Sequence, residues 1–262
     1  MGLFTWRMWL LPVAIFALAS PLWLHWFEPA MFIYLNTLCA PVAAPVWTAL
    51  SLLGNGWGVL GVTAPLLVLA PRLMWAWLCA APFAIVFART GKFLLEAPRP
   101  AALVDNAHMR IVGETLHNVA MPSGHTLTAF AAAAALFFAL PAVRRGRHLW
   151  LFALALGVGL SRMAVGAHWP ADVAMGAVLG LLSGLCGARL CAQIPARHQQ
   201  VQSWLTRVLA VLGLYAMLVL LTDPMGFVQN MPVQVVLAGF LGLNIVIFFV
   251  KTFKPLTPTG AP

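Results

Sequence analysis

Ser161-Arg162 and, after five intervening residues, His168-Trp169-Pro170-Ala171-Asp172 place a hydroxyl, a guanidinium, an imidazole and a carboxylate at the seam between two strongly apolar segments. Charge in such surroundings is costly, roughly 2.5–3.5 kcal/mol for an Arg or Asp at mid-bilayer. Groups of this kind stay together where they pair, meet water or do chemistry. His168 and Asp172 are four residues apart, so the spacing predicts that they share one face of a helix beginning near Pro170. Proline suits a first helical position, where its missing N–H is not needed. A carboxylate in reach of an imidazole sets its tautomer and supports the positive charge the ring acquires. Arg162 offers a planar fork of donors that matches phosphate oxygens. The stretch reads as an oriented nucleophile beside an anion clamp.

Two further clusters supply complementary parts. Lys92 precedes Arg99-Pro100 by seven residues, about two helical turns or ~10 Å. Pro98 ends that helix and lets Arg99 leave it, while the long Lys92 stem can snorkel toward it. Pro122-Ser123-Gly124-His125 opens an alanine-rich helix. Ser123 is a candidate N-cap, Gly124 allows close backbone approach to a ligand, and free N–H groups at a helix start bind phosphate. His125 stands where it could protonate a leaving oxygen. Each cluster alone also has a plain structural reading, as interfacial basic anchors, an ordinary capped helix, or a snorkelling arginine with a loop histidine. Together they provide the positioning and charge neutralisation that phosphoryl transfer needs. Gly166 and Pro170 predict that the helix carrying Arg162 ends before His168, letting both side chains turn inward.

The elements that must position these groups are membrane helices. The chain has 262 residues, 62% hydrophobic and 8% charged, with mean hydropathy +0.93. Soluble domains are about 45–50% apolar and about 25% charged. Long unbroken apolar runs exclude a transmembrane barrel, whose strands alternate over about ten residues. The expected fold class is all-α, a polytopic transmembrane helical bundle of about eight spans. These cover 8–27, a stretch ending near Pro71, 73–95, 123–140, 148–167, 170–191, 205–221 and 232–250. Residues 28–56, broken by prolines, are expected to form a surface helix leading into the second span. Ala17-Leu18-Ala19 faintly resembles a cleavage site, but the apolar run continues beyond it, so an uncleaved anchor is expected.

The net charge of +9 does not point to nucleic acid, because no Lys/Arg run is interleaved with aromatics. With the N-terminus in the cytoplasm, Arg7, Arg72, Arg144, Arg145, Arg147, Arg189, Arg197, Arg207, Lys251 and Lys254 fall on the cytoplasmic side, as the positive-inside rule requires. Arg89, Lys92, Arg99, Arg110 and Arg162 are left outside, beside the motifs, which suggests an anionic ligand there. Glu96, Asp105, His108, Arg110, Glu114 and His117 lie in the one long polar stretch between spans and read as a solvated loop more than as head-group sensors. Cys39, Cys79, Cys186 and Cys191 read as small buried hydrophobes, with neither zinc-ligand spacing nor a disulfide framework. The tryptophans read as interface and packing residues.

Lys92 with six residues before Arg99-Pro100, then Pro122-Ser123-Gly124-His125, then Ser161-Arg162 with five residues before His168 and three before Asp172, resembles the tripartite motif of the type 2 phosphatidic acid phosphatase (PAP2) superfamily. Its related soluble members include bacterial acid phosphatases and vanadium haloperoxidases. The resemblance spans about Lys92 to Asp172 and implies a metal-independent phosphatase, without a cofactor, working through a phosphohistidine. By position, His168 would be the nucleophile, Asp172 its orienting partner and His125 the general acid. Lys92, Arg99 and Arg162 would bind the phosphoryl oxygens, helped by Ser123 and the Gly124 N–H. Residues 1–202 would form the six-helix phosphatase core, 203–254 an added transmembrane hairpin and 255–262 a tail.

The resemblance implies a multi-pass protein of the bacterial inner membrane, with its site at the periplasmic face and a membrane lipid phosphate or diphosphate as partner. Candidate substrates are undecaprenyl diphosphate, phosphatidylglycerol phosphate, phosphatidic acid and lipid A phosphates. Two alternatives stand beside hydrolysis. One is phosphoryl transfer between lipids through the same histidine, and the other is a non-catalytic lipid-binding or transport protein.

Overall fold

A computed structural model describes residues 5–253. Lys254 and the tail 255–262 lie outside the described residues. The described chain is helical, with no strand among those residues. Its α-helices in chain order are α1 (Leu10–Leu18), α2 (Ser20–Leu24), α3 (Pro29–Leu38), α4 (Ala44–Leu52), α5 (Gly56–Thr63), α6 (Leu66–Leu69), α7 (Pro71–Leu95), α8 (Pro100–Leu103), α9 (Gly124–Ala139), α10 (Ala142–Arg145), α11 (Trp150–Ala164), α12 (Pro170–Gln193), α13 (Trp204–Thr222) and α14 (Met231–Phe253). Among the described residues, four stretches are long and apolar enough to cross a membrane: Pro71–Leu103, Pro170–Gln193, Ala196–Thr222 and Val228–Phe253. Trp6–Leu18, Gly124–Ala139 and Trp150–Ala164 are shorter apolar helices. The molecule is an all-α membrane bundle.

Two expected spans are not single helices. The first breaks at Ala19, where α1 ends and α2 restarts with Pro21 in its first turn. The second breaks between α5 and α6 at Ala64-Pro65. In each case proline cannot donate to the preceding turn, so the ladder stops and a new helix starts on it.

The centre of the bundle is α7, α9 and α12. Gly176, Gly180 and Gly184 recur every fourth residue on one face of α12. A Cβ at each would lie 2.8 Å from Ser123 O, 2.5 Å from Leu127 O and 2.4 Å from Ala134 Cβ, respectively. The contacts advance together along both helices, so α9 and α12 run parallel with their backbones in close approach. This is how small residues pack membrane helices, where lipid offers no hydrophobic drive for association. Gly187 meets Ala80 of α7 in the same way, and Gly91 near the other end of α7 meets Pro122, so α7 runs antiparallel to α12. The sense of these helices has one consequence for chemistry: the C-terminal end of α7 and the N-termini of α9 and α12 meet at one end of the bundle. The basic turn 144–147 lies at the opposite end, where Arg145 donates to the carbonyls of Phe138 and Leu140 at the close of α9.

The hairpin α13–α14 is not a separate core. Ala210, Ala216, Leu241 and Ile245 belong to the same apolar cluster as Ala76, Ala80 and Leu127.

Candidate active site

At the motif end of the bundle the chain leaves α11 through a glycine-closed cap. Ala167 N donates to Arg162 O (2.9 Å) and Gly166 N to Met163 O (3.0 Å), with Gly166 at φ +80°. This is the Schellman arrangement, which needs a left-handed residue after the helix. A Cβ on Gly166 would also sit 2.7 Å from the Arg110 carbonyl oxygen. The cap reverses the chain so that Arg162, on the last turn, and His168, beyond it, both face inward. Their exposures are 4% and 2%.

His168 lies just outside α12, not on it. Asp172 is the third residue of that helix, and its Oδ2 accepts from both Trp169 N (2.9 Å) and His168 Nδ1 (3.1 Å). The pairing expected from a shared helical face therefore comes from an N-terminal cap: the carboxylate that satisfies a free helix N–H reaches back to the ring. Asp172 is fully buried and its Oδ1 has no hydrogen-bond partner among the described residues. On the far side of the ring, Arg99 Nη1 lies 3.0 Å from His168 Nε2. A guanidinium can only donate, so Nε2 holds a lone pair and the proton sits on Nδ1, toward Asp172. Burial first, then the positive charges of Arg99 and Arg162, hold the His168 imidazole well below its ordinary value, so it is neutral at pH 7.

Arg99 reaches this position because α7 ends at Leu95, with Glu96 at φ +40°, and Arg99 itself is extended ahead of α8. It also donates to Ala167 O (2.7 Å) and, through Nε, to Asn118 Oδ1 (3.0 Å). Trp169, fully buried, donates from Nε1 to Pro98 O at 2.8 Å, tying the residue after His168 to the residue before Arg99. Half-buried Lys92 has no hydrogen-bond partner among the described residues and lies within electrostatic reach of Arg99, Arg162 and Asp172.

Ser123 caps α9. Its Oγ accepts from Thr126 N (3.5 Å) and Thr126 Oγ1 (2.9 Å), while Ser123 N donates to Asp172 O at 3.0 Å, joining the starts of α9 and α12. A Cβ on Gly124 would meet nothing within 4 Å, so this helix start faces open space. His125 lies within electrostatic reach of Arg162, Arg99 and Lys92. It lines two cavities. One, of about 190 Å³, is shared with Arg162, Gly166, Glu114 and Phe227. The other, of about 350 Å³, is apolar and runs past Trp77, Ala84, Ile85 and Ala88 on α7.

The structure thus gathers Lys92, Arg99, Ser123, Gly124, His125, Arg162, His168 and Asp172 at one end of the bundle. It adds residues that sequence reasoning missed. Ser51 on α4 accepts from Arg162 Nη1, and Asn118 holds Arg99. Neither has a sequence pattern to announce it. Thr126, three residues after a serine cap, was readable as a capping partner. Arg110, expected as a solvated loop charge, is half-buried and also works within the fold: its Nη1 donates to the carbonyls of Cys39, Ala40 and Val42, which closes the end of α3. Asp105 and His108 form an exposed pair at 3.4 Å. No group of three or more His, Cys, Asp or Glu side chains able to hold a metal ion occurs among the described residues.

Three comparisons with known proteins bear on this site. The model of the PAP2 superfamily matches residues 72–199. Over 87 residues the chain is 37% identical to the bacitracin transport permease protein BcrC of Bacillus licheniformis, covering 33% of this chain and 40% of that protein's length. In structure the chain is similar to the crystal structure of Aquifex aeolicus LpxE, with a TM-score of 0.54 and 25% identity, over 61% of this chain and 93% of that one.

Proposed function

From the match of the PAP2 superfamily model to residues 72–199, we propose that the chain belongs to that superfamily and is a membrane-embedded phosphatase acting on a lipid phosphate or diphosphate through a phosphohistidine at His168. One observation carries the reading. A buried, neutral imidazole has its proton turned to Asp172 and its lone pair turned to Arg99, inside a cluster of three cations (Lys92, Arg99, Arg162) and one carboxylate. Three positive groups against one negative leave an excess of +2, which a phosphoryl dianion would neutralise.

In this mechanism the phosphoryl oxygens take the place of Nε2 as partners of Arg99. Arg162, Lys92 and the free N–H groups at the start of α9 hold the remaining oxygens. Thr126 occupies both acceptor positions of Ser123, so the serine hydroxyl hydrogen is left to donate to the phosphoryl group. His168 Nε2 attacks phosphorus, an N–P bond forms and the P–O bond to the lipid breaks. Asp172 supports the charge that the ring gains. His125 gives its proton to the leaving oxygen and then takes one from the water that cleaves the N–P bond, which frees phosphate and restores His168. The apolar cavity beside α7 suits the lipid portion, and it meets the site at His125. The distribution of basic side chains supports a site at the periplasmic face of an inner membrane.

The test is purified protein with phosphatidic acid and an isoprenoid diphosphate. Phosphate release that vanishes in His168→Ala, with radiolabelled phosphate trapped on histidine in the unsubstituted protein alone, is the expected result. Undiminished release by His168→Ala would overturn the reading. The name of the Bacillus licheniformis relative raises a transport role. Phosphate release in detergent, where there is no membrane to transport across, separates the two. A newly phosphorylated lipid without free phosphate would mark transfer in place of hydrolysis.

A further inference from the structure

The family match ends at residue 199, and the α13–α14 hairpin lies beyond it. Its connecting loop nevertheless reaches the cation cluster. Phe227 is buried, with the Arg162 Cζ 5.7 Å from its ring centroid. Met225, Gly226 and Phe227 wall the same 190 Å³ cavity that Arg162 and His125 line. The loop is held firmly. Asn230 Nδ2 donates to Thr48 O at 2.8 Å, and Gln234 Nε2 donates to Asp223 O at 2.7 Å. Gly113, at φ +85°, packs so closely that a Cβ there would lie 2.7 Å from Gly226 O. The Asn230 anchor bears directly on Arg162. Thr48 is one turn from Ser51 on α4, and Ser51 Oγ accepts from Arg162 Nη1. Helix α4 and the hairpin loop therefore hold one guanidinium from two sides, and a hydrogen bond ties the two holders together.

Arg162 needs such a hold. It sits beside Arg99, with no Asp or Glu in ion-pair contact among the described residues, and its Nε is buried without a partner. A carboxylate would orient it but cancel the charge that an anion requires. An aromatic face attracts the guanidinium through its quadrupole and leaves the charge in place.

We propose that the C-terminal hairpin is a working part of the phosphoryl site and that Phe227 is a positioning residue, holding Arg162 in the orientation that grips a phosphoryl oxygen. The inference rests on the phosphatase reading for its activity measurement, whereas anion binding tests it independently. The experiment uses the full chain in detergent, with Phe227→Leu, Phe227→Tyr and Asn230→Ala. Orthophosphate affinity is measured by calorimetry, and kcat and KM with phosphatidic acid. Leucine keeps apolar volume but has no ring face, so Phe227→Leu is expected to weaken phosphate binding about three- to tenfold. It should lower kcat/KM on phosphatidic acid by a similar factor. Phe227→Tyr should stay within about twofold of the unsubstituted protein, because it keeps the ring face. Asn230→Ala should shift binding in the same direction as leucine. Unchanged affinity in both Phe227→Leu and Asn230→Ala, or a tyrosine variant as weak as leucine, overturns the inference. Weakened phosphate binding with no hydrolysis by any form would remove the phosphatase reading and leave the hairpin's role standing. Absence of orthophosphate binding by the unsubstituted protein would remove both.

Discussion

Arg99 Nη1 is shared between His168 Nε2, at 3.0 Å, and the carbonyl oxygen of Ala167, at 2.7 Å. In the proposed mechanism this donor binds an incoming phosphoryl oxygen, and it covers the lone pair until the anion draws it away. Hydrogen bonds to charged groups contribute about 1.5–3 kcal/mol, so Arg99→Lys, which loses the fork, should cut kcat/KM on phosphatidic acid about 10- to 150-fold. Asn118→Ala, which removes the side-chain acceptor of Arg99 Nε and leaves only the Asn118 backbone carbonyl at 3.3 Å, should cost less, about threefold to tenfold. Steady-state kinetics of the two variants checks both. Equal losses would mean that Arg99 is held by its loop contacts alone.

Asp172 serves both the ring of His168 and the first turn of α12. Asp172→Asn keeps the shape but loses the charge, and it can present an N–H to Nδ1. Where an orienting aspartate has been replaced in this way elsewhere, the rate falls about 10⁴-fold. A loss of at least about a thousandfold is expected here, measured as the rate at which radiolabelled phosphate appears on histidine. Asp172→Ala should in addition lower the melting temperature, because Trp169 N–H is left buried without an acceptor.

The acid limb of the rate profile should lie below the ordinary histidine range. In the proposed mechanism the reactive form of His168 is neutral. Burial and the neighbouring cations depress its proton affinity, so it remains reactive at pH values where a free histidine is protonated, about 6.5 and somewhat lower. With the ionisation of the substrate allowed for, kcat/KM should hold as pH falls through 6.5 and drop only beneath it. Arg99→Ala removes the first-named neighbouring charge, so the limb should move upward. A limb that stays put, or moves down, would contradict this assignment.

Two glycines separate packing from binding. Gly180→Val places a side chain where Leu127 O is only 2.5 Å from the first added carbon, and α9 and α12 must part. Overpacking of this kind costs about 1–3 kcal/mol, to be read as a lower melting temperature in detergent. Gly124→Ala meets nothing within 4 Å, so the fold should be unaffected while the added methyl crowds the phosphoryl position. The expected result is normal melting with weakened orthophosphate binding.

Activity should persist in excess chelator, because every charge in the mechanism comes from side chains and helix N–H groups. Loss of phosphate release in chelator, restored by a divalent cation, would require a different mechanism.

Much of the site was legible because it is carried by short-range pattern. Ser123 as a cap, and Gly166 and Pro170 as the end of one helix and the start of the next, are local steric facts, written in residue type, whereas α7 ends at Leu95 with Glu96 left-handed, ahead of the Pro98 expected to end it. The apolar content alone required a helical membrane bundle, since a backbone in lipid must satisfy its own hydrogen bonds. The tertiary structure decided what depends on contacts between distant segments. Ser51 and Asn118 meet Arg162 and Arg99 across 111 and 19 residues, and nothing local marks either as a partner. The glycines of α12 are visible in the sequence, but only packing shows that they set α9 parallel to it and bring two helix N-termini to one place. Arg110 read as a solvated charge because its acceptors are carbonyls at the end of a helix some seventy residues away. Residue type and spacing determined the chemistry available, whereas the order in which those groups touch belongs to the fold, because it is set by helix approach and by hydrogen bonds that close only when remote segments pack.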